Sequence, residues 1–381
     1  MCDGEVLQKK MEEIYRVWRF EENEALLSNV ENIDETLSSV SVGGKNFRED
    51  FMAYASTLGV AVHPGVVPRT KSISDFTEED KSSPASLFDT NPVEGEISIR
   101  GTAVDRATLH CLCKAISAGS SISSLKLVDI DLTSESFRIL ASELPAMSSL
   151  TSLCVDFNTA VPRSADFAQL ILPASSGTTL ARLSLRGCNV DDAGAGAISQ
   201  ALWINSSITH LNLYNNRISE TGGAHLAKAL RYNHVLQCLW LGRNSTGNKT
   251  AALFASGLST YGPLTSAEKE ERTVVEQLHA ENAGKGGGGK KGKGGGGGGA
   301  FSLDALDEET GMCTGNQTFK CLDLTQTSIN AKGMESLLEI FSSEETVFSP
   351  ELKQFAVNGG KNQSVVDAID KKLGRVTGKE E

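Results

Sequence analysis

The chain has 381 residues, a formal net charge of −12, and a composition that is 39% apolar. These values exclude a wholly disordered chain, and the acidity makes nucleic acid an unexpected partner, because phosphate binding needs concentrated Lys and Arg. No apolar run approaches the roughly 18 residues of a membrane-spanning helix, so we expect a soluble cytoplasmic protein with no membrane partner. The eight cysteines are scattered along the chain, which predicts reduced thiols.

Residues 1–62 carry single apolar stripes at helical spacing on otherwise charged segments, which predicts a helical N-terminal segment. The clearest stripe consists of Leu7, Met11, Ile14 and Trp18. These helices either cover the end of the domain that follows, the interpretation we favour, or dock a partner helix. Residues 63–92 hold four of the nine prolines among Ser, Thr and acidic residues, and they are predicted to form a flexible linker.

Residues 93–258 repeat the pattern L-x-x-L-x-L, in which Ile, Val or Phe also occupy the Leu positions. Clear copies begin at Ile122, Leu150, Leu180, Ile208 and Leu236, so that consecutive starts lie 28, 30, 28 and 28 residues apart. A period this constant predicts a repeat architecture. After each strand-like segment the apolar residues recur at steps of three and four, as they do in an amphipathic helix. Each copy is therefore predicted to be one strand followed by one helix.

The ninth position of four successive copies is Asn158, Cys188, Asn216 and Asn244. With its 28-residue spacing, the pattern L-x-x-L-x-L-x-x-[N/C] resembles the leucine-rich repeat of the ribonuclease-inhibitor type. The resemblance implies an α/β fold, a solenoid with a curved parallel sheet inside and helices outside. The ninth side chain is then expected to point inward and to bond backbone groups that the turn after the strand leaves unpaired.

The period breaks over residues 259–318, where a charged stretch precedes a run of 12 glycines and 4 lysines between Gly284 and Gly299. This composition predicts a flexible Gly/Lys-rich insertion that projects as a loop. Weaker copies begin at Phe319 and Leu352, so residues 319–381 are predicted to resume the repeats and to form a C-terminal cap.

Catalytic motifs are missing from the sequence, and we expect no enzyme activity, no catalytic residues, no cofactor and no metal site. One segment, Gly242 to Thr250, resembles a phosphate-binding loop. Its lysine lies one residue too far from the second glycine, and the same residues fit the repeat template. We therefore assign the segment to the repeats.

The residues at positions 3, 5 and 7 of each copy are expected on the exposed concave face, because strand side chains alternate. From the three copies that begin at 180, 208 and 236, we predict a partner-binding site of Arg182, Arg186, His210, Tyr214 and Trp240. Arg, Tyr and Trp are the residue types that dominate binding hot spots. In the alternative interpretation these residues only solvate an ordinary face, and the insertion covers Trp240.

A non-enzymatic protein-binding scaffold is the function that these observations favour, with an acidic or aromatic segment of a partner protein as its ligand. The resemblance further suggests a cytoskeletal or ciliary assembly, and therefore a cytoplasmic location or one in the axoneme of a cilium or flagellum. The alternative is a GTPase-activating protein of the Ran-activator type. That group carries a long acidic tail, whereas residues 371–381 are mixed in charge.

Overall fold

The computed structural model describes residues 20–29, 33–44, 46–61, 63, 66, 95–160, 164–172, 179–259, 265–285, 316–344, 346–357 and 363–374. Residues 1–19, most of the predicted linker and most of the glycine run lie outside this set, so the predictions made for them stay predictions. The chain divides into two compact units. The first consists of residues 1–162 and 177–180, and the second of residues 163–176 and 181–381.

In the first unit, the described residues form three parallel strands and five α-helices. The strands are β1 (Glu96–Arg100), β2 (Ser124–Val128) and β3 (Ser152–Cys154), and the helices are α1 (Phe20–Asn29), α2 (Ile33–Ser38), α3 (Phe47–Leu58), α4 (Arg106–Ser117) and α5 (Ser134–Glu143). Strand β1 pairs with β2, and β2 pairs with β3. In this register Ile97 lies beside Leu125, which lies beside Leu153, so paired residues are 28 apart, as the period of the sequence is.

The N-terminal helices α1 and α3 pack against α4, which is the helix of the first repeat. Asn23 of α1 is buried, and its Nδ2 donates hydrogen bonds to Ala61 O and to Oδ2 of Asp105, the residue that caps α4. Glu24 accepts hydrogen bonds from the backbone N and from Nε of Arg106, both at 2.6 Å. These contacts are the ones expected of helices that cover the end of a repeat array.

His63 is buried in the same region and is 1% exposed. Burial lowers its pKa from 6.5 to about 4, although Asp105 and a hydrogen bond with the backbone of Ala103 act in the opposite direction. As pH falls, the unfolded chain therefore binds this proton before the folded chain does, and the stabilisation present above pH 6.5 is lost between about pH 6.5 and 4. We expect His63 alone to lower the free energy of unfolding by roughly 2–3 kcal/mol across that window.

The measurement is urea unfolding at pH 7 and at pH 4.5 for the native chain and for His63→Gln. The variant cannot take up the proton, so its stability should fall less between the two pH values. Because His225 is exposed in the second unit, His225→Gln is the matched control for the substitution of a histidine. An equal pH dependence in His63→Gln and the native chain would contradict the assignment.

Within the part of the second unit that the structure describes, there are five parallel strands and six α-helices. The strands are β4 (Arg182–Ser184), β5 (His210–Asn212), β6 (Cys238–Trp240), β7 (Cys321–Asp323) and β8 (Gln354–Ala356), and the helices are α6 (Asp192–Ile204), α7 (Glu220–Tyr232), α8 (Asn248–Gly257), α9 (Ser266–Lys285), α10 (Ala331–Ser342) and α11 (Gln363–Lys372). Each strand pairs with the next in chain order. Strand β6 pairs directly with β7, so residues 259–318 leave the parallel sheet of this unit uninterrupted.

The ninth-position asparagines bond backbone groups at the turns after the strands, as the sequence predicts. Oδ1 of Asn244 accepts from Ile218 N at 3.1 Å, and its Nδ2 donates to Leu213 O and to Leu241 O. Asn216 makes the equivalent bonds in the preceding copy. The ninth position of a third copy is Cys188, whose thiol donates a hydrogen bond to Arg186 O at 3.6 Å.

A second set of asparagines, which was not predicted from the sequence, connects the helix ends to the following strands. Its members are Asn205, Asn233 and Asn316, each three residues before the start of a copy. Nδ2 of Asn316 donates to Leu230 O and to Asn233 O of the preceding copy, and Asn233 bonds Leu202 O and Asn205 O in the same way. Asn316 therefore bonds to the copy that precedes the insertion, and the repeat after the insertion keeps the register of the others.

Residues 266–285 form helix α9, which corrects the prediction of a flexible insertion for this part of residues 259–318. Thr265 and Glu268 make a capping box, in which Thr265 Oγ1 accepts from Glu268 N and Glu268 Oε2 accepts from Thr265 N. Val275 is fully buried, and Glu271 accepts a hydrogen bond from the hydroxyl of Tyr232 on α7. Residues rich in Glu, Lys and Ala favour a helix, and these contacts hold it against the unit.

Candidate protein-binding surface

Strands β4, β5 and β6 each hold one buried leucine between two more exposed residues. Because strand side chains alternate, the residues on either side of these leucines share the opposite face of the sheet. All five residues predicted to bind a partner lie on this face or directly after its strands. We call the following set the aromatic–arginine face: Arg182, Arg186, His210, Asn212, Tyr214 and Trp240.

Two pairs of side chains on the aromatic–arginine face hold each other in place. The guanidinium of Arg186 lies over the ring of Tyr214, with Cζ 5.2 Å from the ring centroid. The rings of His210 and Trp240 stack with their centroids 6.0 Å apart and their planes at 26°. A cation–π contact at an exposed site contributes about 0.5–1 kcal/mol, which is enough to favour one arrangement of these side chains before any partner binds.

Tyr214 also reaches across the neighbouring copy. Its hydroxyl donates a hydrogen bond to Oε1 of Gln326 at 2.8 Å, and its ring lies over Gly242. A Cβ atom at position 242 would come within 2.7 Å of this ring and within 3.0 Å of the backbone oxygen of Thr325. The glycine is therefore what leaves room for the tyrosine ring.

The face contains a concavity of about 410 Å³ lined by Arg186, Asn212, Tyr214 and Trp240. Oδ1 of Asn212 accepts a hydrogen bond from Tyr214 N at 2.9 Å, which holds the amide in one orientation. Asp323 lies beside Trp240 in the sheet. Neither Asn212 nor Asp323 was among the predicted binding residues, although both occupy position 5 of their copies, as Trp240 does.

The face is positively charged at its β4 edge. Arg182 and Arg186 are exposed there, and Lys320 is half-buried before β7. The pKa of His210 is lowered, mainly by burial and then by the charges of Arg182 and Lys320, so the ring is neutral at neutral pH. At neutral pH the positive charge of the aromatic–arginine face is therefore that of Arg182 and Arg186. Lys320 and Asp323 belong to the neighbouring copy, in which Asp323 is the register partner of Trp240.

Trp240 itself is half-buried. In the alternative interpretation the insertion covers this side chain. Apart from α9, the residues concerned lie outside the described ones, so the alternative stays a prediction. In the described ranges, no group of three or more His, Cys, Asp or Glu is arranged to hold a metal ion. Of the helices that the structure describes, none combines the length and the apolar character needed to cross a lipid bilayer.

Comparison with known proteins supports the assignment of the repeats. A family model described as a leucine-rich repeat matches residues 178–199 and 315–338. Both matches contain a strand of the parallel sheet and part of the helix that follows it, β4 with α6 and β7 with α10. The chain is a leucine-rich repeat protein. The ribonuclease-inhibitor subtype stays a prediction.

The curated relatives are much longer proteins. NACHT, LRR and PYD domains-containing protein 5 of Homo sapiens is 27% identical over 203 residues, which cover 52% of this chain and 16% of the relative. The corresponding protein 14 of Mus musculus is 30% identical over 124 residues, or 32% of this chain and 12% of the relative. The capping protein, Arp2/3 and myosin-I linker protein 3 of Homo sapiens is 40% identical over 68 residues, or 18% of this chain and 5% of the relative. The chain thus spans less than a fifth of the length of these relatives.

Among solved structures, leiomodin-1 actin-binding site 2 aligns with 39% of this leucine-rich repeat protein and 88% of its own chain, at 22% identity and a TM-score of 0.25. A TM-score this low supports no conclusion about function. Leucine-rich repeats in general form protein-binding scaffolds, whose stacked strands present an extended binding surface. This is the functional class of the present repeats.

Proposed function

We propose that the aromatic–arginine face binds an extended segment of a partner protein in which carboxylates alternate with aromatic or other apolar side chains. The observation that carries the proposal is the concavity between Arg186, Asn212, Tyr214 and Trp240, in which rings and cations lie side by side. An extended segment suits this surface because the strands beneath it repeat about every 4.8 Å.

Preorganisation supports binding at this face. Tyr214 is held by Arg186 on one side and by Gln326 on the other, and Trp240 is held by His210. Side chains already held in one arrangement lose little conformational entropy when a partner binds, so more of the contact energy appears as affinity.

Charge supports an acidic partner segment. Arg182 is exposed at the start of β4, and Arg186 is exposed two residues after the end of that strand. At these positions each guanidinium can approach a carboxylate with two N–H groups. Because exposed charges are screened by salt, the complex should weaken as ionic strength rises. The aromatic rings and the apolar part of the segment would supply the salt-independent part of the affinity.

We further propose that the partner belongs to a cytoskeletal assembly. The support is the relative of 40% identity over 68 residues, whose name describes a linker of capping protein, Arp2/3 and myosin-I. The narrower prediction from the sequence is a location in the cytoplasm or in the axoneme of a cilium or flagellum. The Ran-activator alternative would be tested by GTP hydrolysis with a Ran-type GTPase, for which we expect no acceleration.

The cytoskeletal proposal predicts that the chain co-sediments with filaments in a native extract. With actin filaments stabilised in one sample and microtubules in another, we expect the full chain in at least one filament pellet, and in the supernatant once both filaments are depolymerised. Trp240→Ala should shift the chain to the supernatant, and Arg217→Ala, an exposed arginine outside the face, should not. A chain that stays in the supernatant in every sample would overturn the cytoskeletal assignment.

A further inference from the structure

Two cysteines meet on adjacent strands next to the aromatic–arginine face. Cys238 is the first residue of β6 and Cys321 is the first residue of β7, and their Cα atoms are direct partners in the parallel register. The backbone N of Cys321 donates a hydrogen bond to Gln237 O at 2.9 Å, which holds the two strand starts together. Adjacent strands lie about 4.8 Å apart, inside the range of about 4.4–6.8 Å that Cα atoms have in disulfides.

The two thiols face each other on the same side of the sheet. Both cysteines carry half-buried thiols, and a hydrogen bond joins their side chains. The thiol of Cys321 also donates to Oε1 of Gln354 on β8 at 3.3 Å. Both thiols are therefore only partly buried, and the strand register places the two cysteines side by side.

The other described cysteines lack this arrangement. Cys111 and Cys113 are two residues apart on helix α4, where side chains at that spacing point in different directions, and both are fully buried. Burial raises the pKa of the Cys111 thiol to about 12. Cys154 of β3 is half-buried, but its register partner on β2 is Lys126. Among the cysteines that the structure describes, only Cys238 and Cys321 are paired across neighbouring strands.

We propose that Cys238 and Cys321 form a reversible disulfide. The starts of β6 and β7 are then a thiol-modification site that reacts with low-molecular-weight disulfides such as glutathione disulfide. The thiolate of one cysteine attacks the oxidant and releases one glutathione thiol, which leaves a mixed disulfide. The second cysteine then attacks the protein sulfur of that mixed disulfide and releases the second glutathione. Two electrons pass to the oxidant, and the two thiol protons end on the released glutathione thiols.

The bond would join β6 to β7 covalently and would close a loop of residues 239–320, which contains α9 and the glycine run. Closing so long a loop restricts the unfolded chain, so the oxidised protein should melt at a higher temperature than the reduced one. The bond would also lie beside His210, which is the register partner of Cys238 on β5. The disulfide is argued from the strand register alone and does not depend on the proposed function.

The surroundings of Cys238 predict how the reaction depends on pH. Burial raises the pKa of its thiol, and the charge of Lys320 and the hydrogen bond with Cys321 oppose that rise only in part. The thiol is therefore largely protonated at neutral pH. Since the thiolate is the reactive form, the rate of exchange should rise roughly tenfold per pH unit from pH 7 towards the pKa.

The test uses the full chain, oxidised with glutathione disulfide, alkylated and digested with trypsin without reduction. Cleavage after Arg231, Arg243, Lys320 and Lys332 places the two cysteines in separate peptides, residues 232–243 and 321–332, each with a single cysteine. We expect these two peptides as one disulfide-linked species that disappears on treatment with dithiothreitol. Cys154→Ser is the matched control and should leave the linked species unchanged, whereas Cys238→Ser should remove it.

The proposal is overturned if the two peptides carry only separate glutathione adducts, or if Cys321 is found linked to another cysteine in the native chain. It is also overturned if the linked species forms equally fast at pH 7 and pH 9. A melting temperature that is the same before and after oxidation, in a sample where the link is present, would contradict the loop-closure effect.

Discussion

Replacing Trp240 with alanine is expected to weaken the complex with the protein partner by about 30-fold, and Arg186→Ala is expected to do the same, with little change in melting temperature. Hot-spot side chains contribute roughly 2 kcal/mol or more to binding, which corresponds to this factor. Trp240 would lose the ring that borders the concavity, and Arg186 would lose both its charge and its contact with Tyr214. Stability changes little because both side chains project from the face rather than into the core.

The measurement is a quantitative pull-down on the immobilised chain together with a thermal melt of each variant. Arg217→Ala controls for the loss of an exposed arginine elsewhere in the second unit and should bind as the native chain does. If the complex keeps its affinity in both Trp240→Ala and Arg186→Ala, the aromatic–arginine face is not the binding site.

The second large effect concerns stability, since Asn244→Ala should lower the free energy of unfolding by roughly 3 kcal/mol and the melting temperature by about 10 °C. The asparagine side chain is 6% exposed. Its loss removes the acceptor that Oδ1 provides to Ile218 N and the donor that Nδ2 provides to Leu241 O, and leaves a cavity at the turn. Denaturant unfolding followed by circular dichroism measures this change.

Two variants of the same turn make the comparison specific. Asn244→Cys should lose less than Asn244→Ala, because Cys188 fills the equivalent slot of another copy and still donates one hydrogen bond. Ser245→Ala changes the exposed neighbour and should stay within about 0.5 kcal/mol of the native chain. A free energy of unfolding for Asn244→Ala that equals that of Ser245→Ala would show that the ninth-position asparagine does not stabilise its turn.

The repeat period predicts most of the local structure because each copy repeats the same pattern of apolar and polar residues. Leucines 28 residues apart, such as Leu211 and Leu239, are register partners in the sheet, and the ninth-position asparagines bond the turns. From the same template, all five predicted binding residues lie on one face of β4, β5 and β6 or just after these strands. That they bind a partner stays a prediction.

Two contacts between the copies on either side of the insertion were not predicted from the sequence. The bond between Tyr214 and Gln326 and the pairing of Cys238 with Cys321 both span the insertion, so no local pattern connects these residues. Two other features that were not predicted do have a recognisable sequence pattern. Thr265 and Glu268 stand at the spacing of a capping box, and Asn233 and Asn316 stand three residues before the start of a copy, so α9 and the second set of asparagines could have been found.

Site-specific photo-crosslinking tests the central claim, binding at the aromatic–arginine face, most directly. A benzophenone amino acid replaces Ser184, which lies beside Asn212 in the sheet, or the exposed Lys249 at the start of α8 in a matched sample. Both variants are irradiated in native extract, and the adducts are identified by mass spectrometry. The account predicts that a partner protein is captured from position 184 and not from position 249, and that Trp240→Ala abolishes the adduct. Capture of the same partner from position 249, or equal capture from both positions, would contradict it.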